Sequence, residues 1–290
     1  MPESLAHKPV LDWYARHARD LPWRAADATA WAVLVSEVML QQTPVARVLP
    51  AYRDWLARWP TPSALAAERP GEAVRMWGRL GYPRRALRLH QAAVVIERDH
   101  DGQVPDSYDD LRALPGVGDY TAAAVGAFAF RHRIVVLDTN VRRVLARLAG
   151  GEAGPRPSLT RDERERAAGL LPDNAERAAR WSVAVMELGA LVCTALAPAC
   201  DRCPVAELCA WRRAGYPVDH TVRLRVSTYA GTDRQCRGRL LAVLRDADGP
   251  VRQADVEIVW DDVVQRERAL TSLLDDGLVV RVGEGSLSLP

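Results

Sequence analysis

Four cysteines packed into seventeen residues constrain this chain more than any other feature. Cys193, Cys200, Cys203 and Cys209 follow the spacing C-x6-C-x2-C-x5-C, and the fifth cysteine, Cys236, stands beyond a linker. A chain of 290 residues, 48% of them hydrophobic, has ample material for a core and does not need disulfide staples. Four thiolates this close can instead hold one metal centre, and both zinc and a [4Fe–4S] cluster accept four cysteines. Zinc sites normally pair two short C-x-x-C knuckles across a longer spacer. The single compact, asymmetric loop here favours the cluster and leaves Cys236 as a small core residue.

No apolar run approaches the ~20 residues that span a bilayer. The first 23 residues alternate charged and apolar side chains without the apolar centre of a secretory signal. A cytoplasmic chain is the expectation, associated with the nucleoid when engaged on DNA. The net charge of +2 says little about partners. Its distribution says more: Arg75, Arg79, Arg84, Arg85 and Arg88 crowd one segment, and Arg131, Arg133, Arg142, Arg143 and Arg147 another. Such clusters suit either a polyanion or a solvated helix face. Lys8 is the only lysine, which reads as codon bias before it reads as an adaptation to phosphate.

Helical periodicity broken by Pro and Gly runs through most of the chain. Trp31, Leu34, Val35 and Val38 lie at helical spacing. Further helices are expected near 50–59, 70–77, 84–99, 108–113, 120–130, 140–148, 160–171 and 175–192. No alternating strand pattern competes before about residue 220, so the main body is expected to be all-α. Beyond the cysteines, three helices (237–245, 252–260, 265–276) and a β-hairpin (278–282, 286–289) suggest a small winged-helix-like module. Modules of that shape bind DNA, and they also serve structural or partner-binding roles.

Between two helices stands Leu114-Pro115-Gly116-Val117-Gly118. Proline ends the first helix, and the glycines permit positive φ and close backbone approach. Exposed amides at the next helix start then suit an anion such as a DNA phosphate. An ordinary tight helical turn has the same pattern, and Asp119 disfavours an anion unless its side chain faces solvent. Glu37 lies among Leu34, Val35, Val38, Met39 and Leu40. If buried, its carboxyl is held protonated, as a general acid requires; at the edge of the apolar stripe it simply faces water. Asp138 follows the apolar run 134–137 and precedes a helix, an N-cap position where amides and dipole favour the ionised form. One carboxyl kept protonated and one kept charged is the division of labour in glycosidic cleavage.

Ser36-Glu37-Val38-Met39-Leu40-Gln41-Gln42-Thr43, Leu80-Gly81-Tyr82, the hairpin run, Leu137-Asp138, Asn140-Val141, Met186 through Cys193 and the cysteine loop together resemble MutY-type adenine DNA glycosylases, which belong to the helix-hairpin-helix superfamily with endonuclease III. The resemblance spans roughly residues 20–210 in consistent order. It implies a six-helix barrel domain over 21–135 and an iron–sulfur domain over 1–20 and 136–215. These precede a linker over 216–234 and the module over 235–290. It further implies a DNA-bound monomer, with the target base flipped from the duplex into a cleft between the helical domains. Glu37 would protonate adenine at N7, Asp138 would stabilise the oxocarbenium-like sugar, Tyr120 would assist, and Asn140 would orient Asp138 and water. DNA contacts are implied at Gln41, Gln42, Thr43, Leu80, Tyr82, Gly116, Val117, Gly118 and Arg143, with Gln42 and Tyr82 as wedges in the base stack. Cys193, Cys200, Cys203 and Cys209 would bind the cluster.

The resemblance also sets the reaction subtype. Endonuclease III carries a Schiff-base lysine where this chain has Tyr120, which implies a monofunctional enzyme. Such an enzyme leaves an abasic site after removing adenine opposite 8-oxoguanine or guanine. Excision of thymine or uracil from mispairs, or a non-catalytic iron–sulfur DNA-binding protein, are the alternatives. Three features depart from the family: Pro83 in place of a second aromatic, Thr139 in place of Gly, and a short C-terminal module in place of the MutT-like domain with its Phe-Ser-His loop.

Overall fold

A computed structural model describes residues 5–218 and 229–290; most of the expected linker, 219–228, lies outside the described residues, as do residues 1–4. The helices are α1 (His7–His17), α2 (Ala30–Leu40), α3 (Val45–Arg58), α4 (Pro62–Ala66), α5 (Pro70–Trp77), α6 (Arg84–Asp99), α7 (Tyr108–Ala113) and α8 (Asp119–Phe128). They continue with α9 (Thr139–Leu145), α10 (Arg161–Gly169), α11 (Ala175–Leu191), α12 (Ala210–Arg213), α13 (Asp233–Asp246), α14 (Gln253–Glu257) and α15 (Val263–Asp275). Strands β1 (Val251–Arg252), β2 (Val280–Val282) and β3 (Ser286–Ser288) complete the chain. Among the described residues no helix is long and apolar enough to cross a membrane.

Local chemistry sets many of these boundaries. Pro62 and Pro70 stand at the first positions of α4 and α5, where a missing N–H costs nothing. Thr160 and Glu163 form a reciprocal capping box on α10, and Asn174 caps α11. One helix starts earlier than its sequence suggests: α3 begins at Val45 and runs through Pro50. Burial of Val48, Tyr52 and Trp55 along one face outweighs the hydrogen bond that Pro50 removes.

The chain forms two compact units. One comprises Met1–Val33, Asp106–Arg112 and Val117–Leu224, and the other Leu34–Pro105, Ala113–Gly116 and Arg225–Pro290. In the first, Val10 and Trp13 of α1 join Val141, Val144, Trp181, Val185 and Leu188 in one apolar core. Glu187 is buried beside that core with no exposed surface. Arg19 donates to it from Nη2 (2.6 Å), Nε (2.8 Å) and its backbone amide (3.0 Å), and Arg24 from Nη2 (2.9 Å). Although burial alone would raise it, these donors and charges hold the Glu187 carboxyl down at about 2.

In the second unit Trp55, Trp59 and Trp77 meet edge to face and are fully buried. Its C-terminal part is a winged-helix module: α13, α14 and α15 with an antiparallel sheet in the order β1-β3-β2. Arg252, expected to open the second helix of the module, instead pairs with Ser286 beside the Val251–Leu287 pair, and the helix is the shorter α14. The module seats on α5. The Gly71 amide donates to Pro290 O at 2.7 Å, Arg245 Nε donates to Val74 O at 3.1 Å, and Arg75 Nη1 donates to Ala247 O at 2.8 Å.

Candidate active site and cluster loop

Asp138 occupies the N-cap of α9, where its Oδ1 accepts the Val141 amide at 2.6 Å. Its other oxygen accepts the Asn140 side-chain amide at 2.7 Å. The sequence argument expected these donors and the helix dipole to keep the group comfortably ionised. Burial proves stronger: it pushes the Asp138 carboxyl above its usual value against the pull of Val141, Asn140 and the Arg143 charge. A carboxylate so placed is poorly solvated until a positive charge develops beside it. It is therefore better matched to a cationic transition state than to the resting pocket.

The polar chain continues inward. Asn140 Oδ1 accepts Arg143 Nη2 at 2.8 Å, and Arg143 donates from Nε to Cys193 O at 2.7 Å and from Nη2 to Gly189 O at 2.7 Å. Arg143, expected at the DNA surface, is only 8% exposed, and its donors are committed to these internal acceptors and to Thr139 O. Gly189 of α11 makes the approach possible, since a Cβ there would lie 2.7 Å from Asn140 Cβ and 2.9 Å from Asn140 O. Thr139 accommodates the family's glycine position as the first residue of α9. Tyr120, on the first turn of α8, packs against the buried cluster of Ala123, Ala124, Ala127 and Val136, as do Ile134 and Met186.

The cysteine loop begins where α11 ends. Cys200 opens a 3-10 turn, Cys203 follows it, and Cys209 precedes α12. All four thiols are half-buried. A single π turn over Ala146–Gly150 brings Arg147 to the loop, where Nη1 lies 3.4 Å from Cys193 Sγ and donates to Thr194 O at 2.7 Å. Its guanidinium stacks on Trp211, 4.6 Å from the ring centroid. Burial pushes Cys193 up and Cys203 to about 11, and the charges of neighbouring cysteines add in the same direction. A cationic centre bound by the loop would offset that cost at Cys193 and Cys203 by accepting them as thiolates. Among the described residues no three His, Cys, Asp or Glu side chains come together as ligands for a single ion.

In the second unit Glu37 is 6% exposed on α2, and the neighbouring Ser36 is fully buried. Two loops present the other expected DNA contacts. Gln42 and Tyr82 are exposed, with φ of 53° and 47°, a left-handed conformation that costs about 1–2 kcal/mol for such residues. One side chain braces both loops: Arg85 donates from Nη1 to Val38 O (2.9 Å), Met39 O (3.1 Å) and Gln41 O (2.6 Å). Its Nη2 donates to Thr43 Oγ1 (3.0 Å) and Gly81 O (3.1 Å). Burial lowers Arg85 to about 10, which leaves it charged at neutral pH.

Sequence reasoning placed Arg85 only in a basic cluster, and nothing in its spacing marks it as the brace. Thr43, Leu80 and Val117, expected to touch DNA, are buried at 6%, 6% and 5%. Thr43 donates to Gln41 O at 3.2 Å, and Gln41 itself is half-buried. Pro83 stands just before α6, where its fixed φ suits a helix start. Of the arginine clusters, Arg84 pairs with Asp276 and Arg142 with Glu163, while Arg79 and Arg88 remain exposed.

At the hairpin, Gly116 has φ of 80°, and a Cβ there would come within 2.6 Å of Arg88 Cβ. Gly118 precedes α8, whose first turn has no side-chain cap. Asp119 is mostly exposed and pairs with Arg112 at 2.5 Å, which holds its carboxyl below the usual value. Its charge is thereby offset by Arg112, which lessens the objection to an anion at the helix start.

Residues 35–168 match the family model of the HhH-GPD superfamily base excision DNA repair protein, and residues 193–209 match the iron–sulfur binding domain of endonuclease III. Fold and site thus define a helix-hairpin-helix DNA glycosylase with an iron–sulfur domain. The chain is 53% identical over 291 residues to adenine DNA glycosylase of Mycobacterium tuberculosis, covering 100% of this chain and 95% of that protein. It is 42% identical over 212 residues to adenine DNA glycosylase of Homo sapiens, covering 70% of this chain and 39% of that one. It is similar in structure to a thermostable thymine-DNA glycosylase (26% identity, TM-score 0.65, 73% of this chain and 97% of that chain). It is also similar to endonuclease III in a non-covalent DNA complex (25% identity, TM-score 0.59, 71% and 94%). The chain belongs to the MutY-type adenine DNA glycosylases, base-excision-repair enzymes that act on DNA, and it has their [4Fe–4S] cluster as cofactor.

Proposed function

We propose that this enzyme removes adenine paired with 8-oxoguanine or guanine and leaves an intact strand with an abasic site. The observation that carries the reading is Asp138, half-buried and held by Val141 and Asn140, with Arg143 behind Asn140. Glu37 donates a proton to adenine N7, and the C1′–N9 bond breaks with its electron pair going to N9. The sugar is left as an oxocarbenium-like cation that the Asp138 carboxylate stabilises. Water oriented by Asn140 and Asp138 attacks C1′ and loses a proton, and free adenine departs. Tyr120 supports the developing charge and, being no amine, forms no Schiff base, so the backbone is not cut.

Cys193, Cys200, Cys203 and Cys209 would hold the cluster, which neutralises their thiolates and cross-links the loop. Arg143 ties that loop to Asn140 and so acts as a positioning residue. Gln42 and Tyr82, exposed and strained, serve as wedges in the base stack. We place the working enzyme in the cytoplasm, on nucleoid DNA, as a monomer. The test is a panel of duplexes carrying adenine opposite 8-oxoguanine, guanine or thymine, and thymine or uracil opposite guanine. Strands are read before and after alkali. Adenine release revealed only by alkali is expected; strand breaks without alkali, or no release from either adenine mispair, would end the reading. Thymine release is the second reading, favoured by the 34% identity over 203 residues to a thymine-DNA glycosylase of Aeropyrum pernix.

A further inference from the structure

The C-terminal module meets the Tyr82 loop through an alternation of rings and guanidinium groups. Arg85 lies 5.2 Å from the Trp77 ring centroid and 5.4 Å from that of Tyr82. Arg234, at the start of α13, lies 5.2 Å from the same Tyr82 ring and 5.5 Å from the ring of Tyr229. The series Trp77, Arg85, Tyr82, Arg234, Tyr229 therefore runs from a fully buried indole to a phenol that is 53% exposed. Its middle ring, Tyr82, is 44% exposed. Arg85 lies on α6; Arg234 meets the Tyr82 ring from α13 of the module, with Tyr229 as its other ring contact.

That seating is firm. Besides the contacts with α5, Asp276 accepts Arg84 at 3.2 Å and Arg237 at 2.5 Å, which fixes the module to the first turn of α6, two residues past Tyr82. Thr232 caps α13 through its hydroxyl, and Asp233 is engaged by Arg268 and Gln265. Arg234 forms no ion pair among the described residues, so its charge faces solvent beside an exposed ring. A planar cation stacked on an aromatic side chain stabilises it by about 0.5–2 kcal/mol. It also brings positive charge to where an inserted ring meets the phosphates of a duplex.

The geometry points to Arg234 as a positioning residue for the Tyr82 wedge, so that the winged-helix module takes a direct part in engaging the mispair. This rests on the reading of Tyr82 as a wedge. The sequence explains why such a device is needed. Pro83 replaces the second aromatic of the loop, and Tyr82, in a left-handed backbone conformation, leaves 44% of its surface exposed. Arg85 braces the backbone from below, and Arg234 holds the ring from the module side.

The experiment compares the full-length holoenzyme with Tyr82→Ala, Arg234→Ala, Arg234→Lys and the Tyr82→Ala/Arg234→Ala double variant. Binding is measured to a paired duplex and to a duplex with 2′-fluoroadenosine, a non-cleavable analogue, opposite 8-oxoguanine. Arg234→Ala is expected to weaken mispair binding about tenfold and paired-duplex binding less than about twofold, and to add less than about twofold in the Tyr82→Ala background. Arg234→Lys, which keeps the charge without the planar stack, should remain impaired and should fold like the parent even if the alanine variant does not. Equal weakening toward both duplexes, additivity with Tyr82→Ala, or full rescue by lysine would make Arg234 a plain phosphate contact and overturn the proposal. An unaltered Arg234→Ala would overturn it as well. Loss of the wedge reading itself shows separately, as Tyr82→Ala binding the mispair as tightly as the parent.

Discussion

Arg85 and Arg143 are both largely withdrawn from solvent, neither forms an ion pair among the described residues, and burial lowers both from the usual arginine value. Each donates to main-chain carbonyls and to one polar side chain, Arg85 from its two terminal nitrogens with Nε left buried and unpartnered, Arg143 also from Nε. They differ in where their networks end. The Arg85 network ends on Gln41, Gly81 and Thr43, beneath two surface loops; the Arg143 network ends, through Asn140, on a candidate reacting carboxylate. The same residue type, similarly withdrawn from solvent, thus braces two surface loops in one region and a candidate reacting group in the other. What separates them is the group at the far end.

Several substitutions test that contrast. Asp138→Asn should be the most severe: kcat for adenine release falls about 10³-fold, with DNA binding within a few-fold of the parent. Single-turnover cleavage together with a binding isotherm checks it, and a loss confined to KM would remove Asp138 from the chemistry. Glu37→Gln is expected to follow the same split, since it removes the proposed proton donor.

Glu187 supplies the counter-case, a site where half-buried arginines do meet a buried carboxylate. Its carboxyl sits at about 2 in the folded chain against 4.5 for an unperturbed glutamate, a difference of about 3 kcal/mol in stability. Because the folded value is the lower one, the contribution is complete above about pH 5 and fades between roughly pH 4.5 and 2. Urea unfolding of the parent and of Glu187→Gln should therefore differ most near neutrality and converge in acid. A gap that stays constant with pH would mean that the charge of Glu187 is not what stabilises.

Arg143→Ala should lower kcat about 10–100-fold, as loss of an outer hydrogen-bonding partner commonly does, while KM changes little. Iron content should be measured on the same preparation, and a variant with full cluster and full kcat would break the proposed link between loop and carboxylate. Arg85→Lys should have the smallest effect and the opposite signature: KM up about tenfold, kcat nearly unchanged, because an ammonium cannot span five acceptors. If both arginine variants shift the same kinetic constant, the contrast between the two regions fails.

The helix from Arg84 to Asp99 and the N-cap position of Asp138 were legible from the residues, and the structure places them as expected; the cysteine spacing was legible too, and it matches the iron–sulfur binding domain of endonuclease III. The module's three helices and hairpin were also legible, but its first strand was not. A two-residue strand has no periodicity, and Val251–Arg252 becomes one only by meeting Ser286 and Leu287 from 34 and 36 positions along the chain. The exposure of Gln42 and Tyr82 agrees with a contact role; the burial of Thr43, Leu80 and Arg143 does not follow from their motifs.

What this sequence determines by itself is whatever depends on a few neighbours: caps, turns, helical faces and the spacing of four thiols. Those effects act over one or two helical turns, so the linear order carries them. Tertiary structure alone decided which arginines turn inward as braces, that burial raises Asp138 despite its helix cap, and that Arg234 stands over Tyr82. Desolvation, hydrogen-bond saturation and stacking depend on all groups that surround a side chain, and those groups are brought together only by the fold.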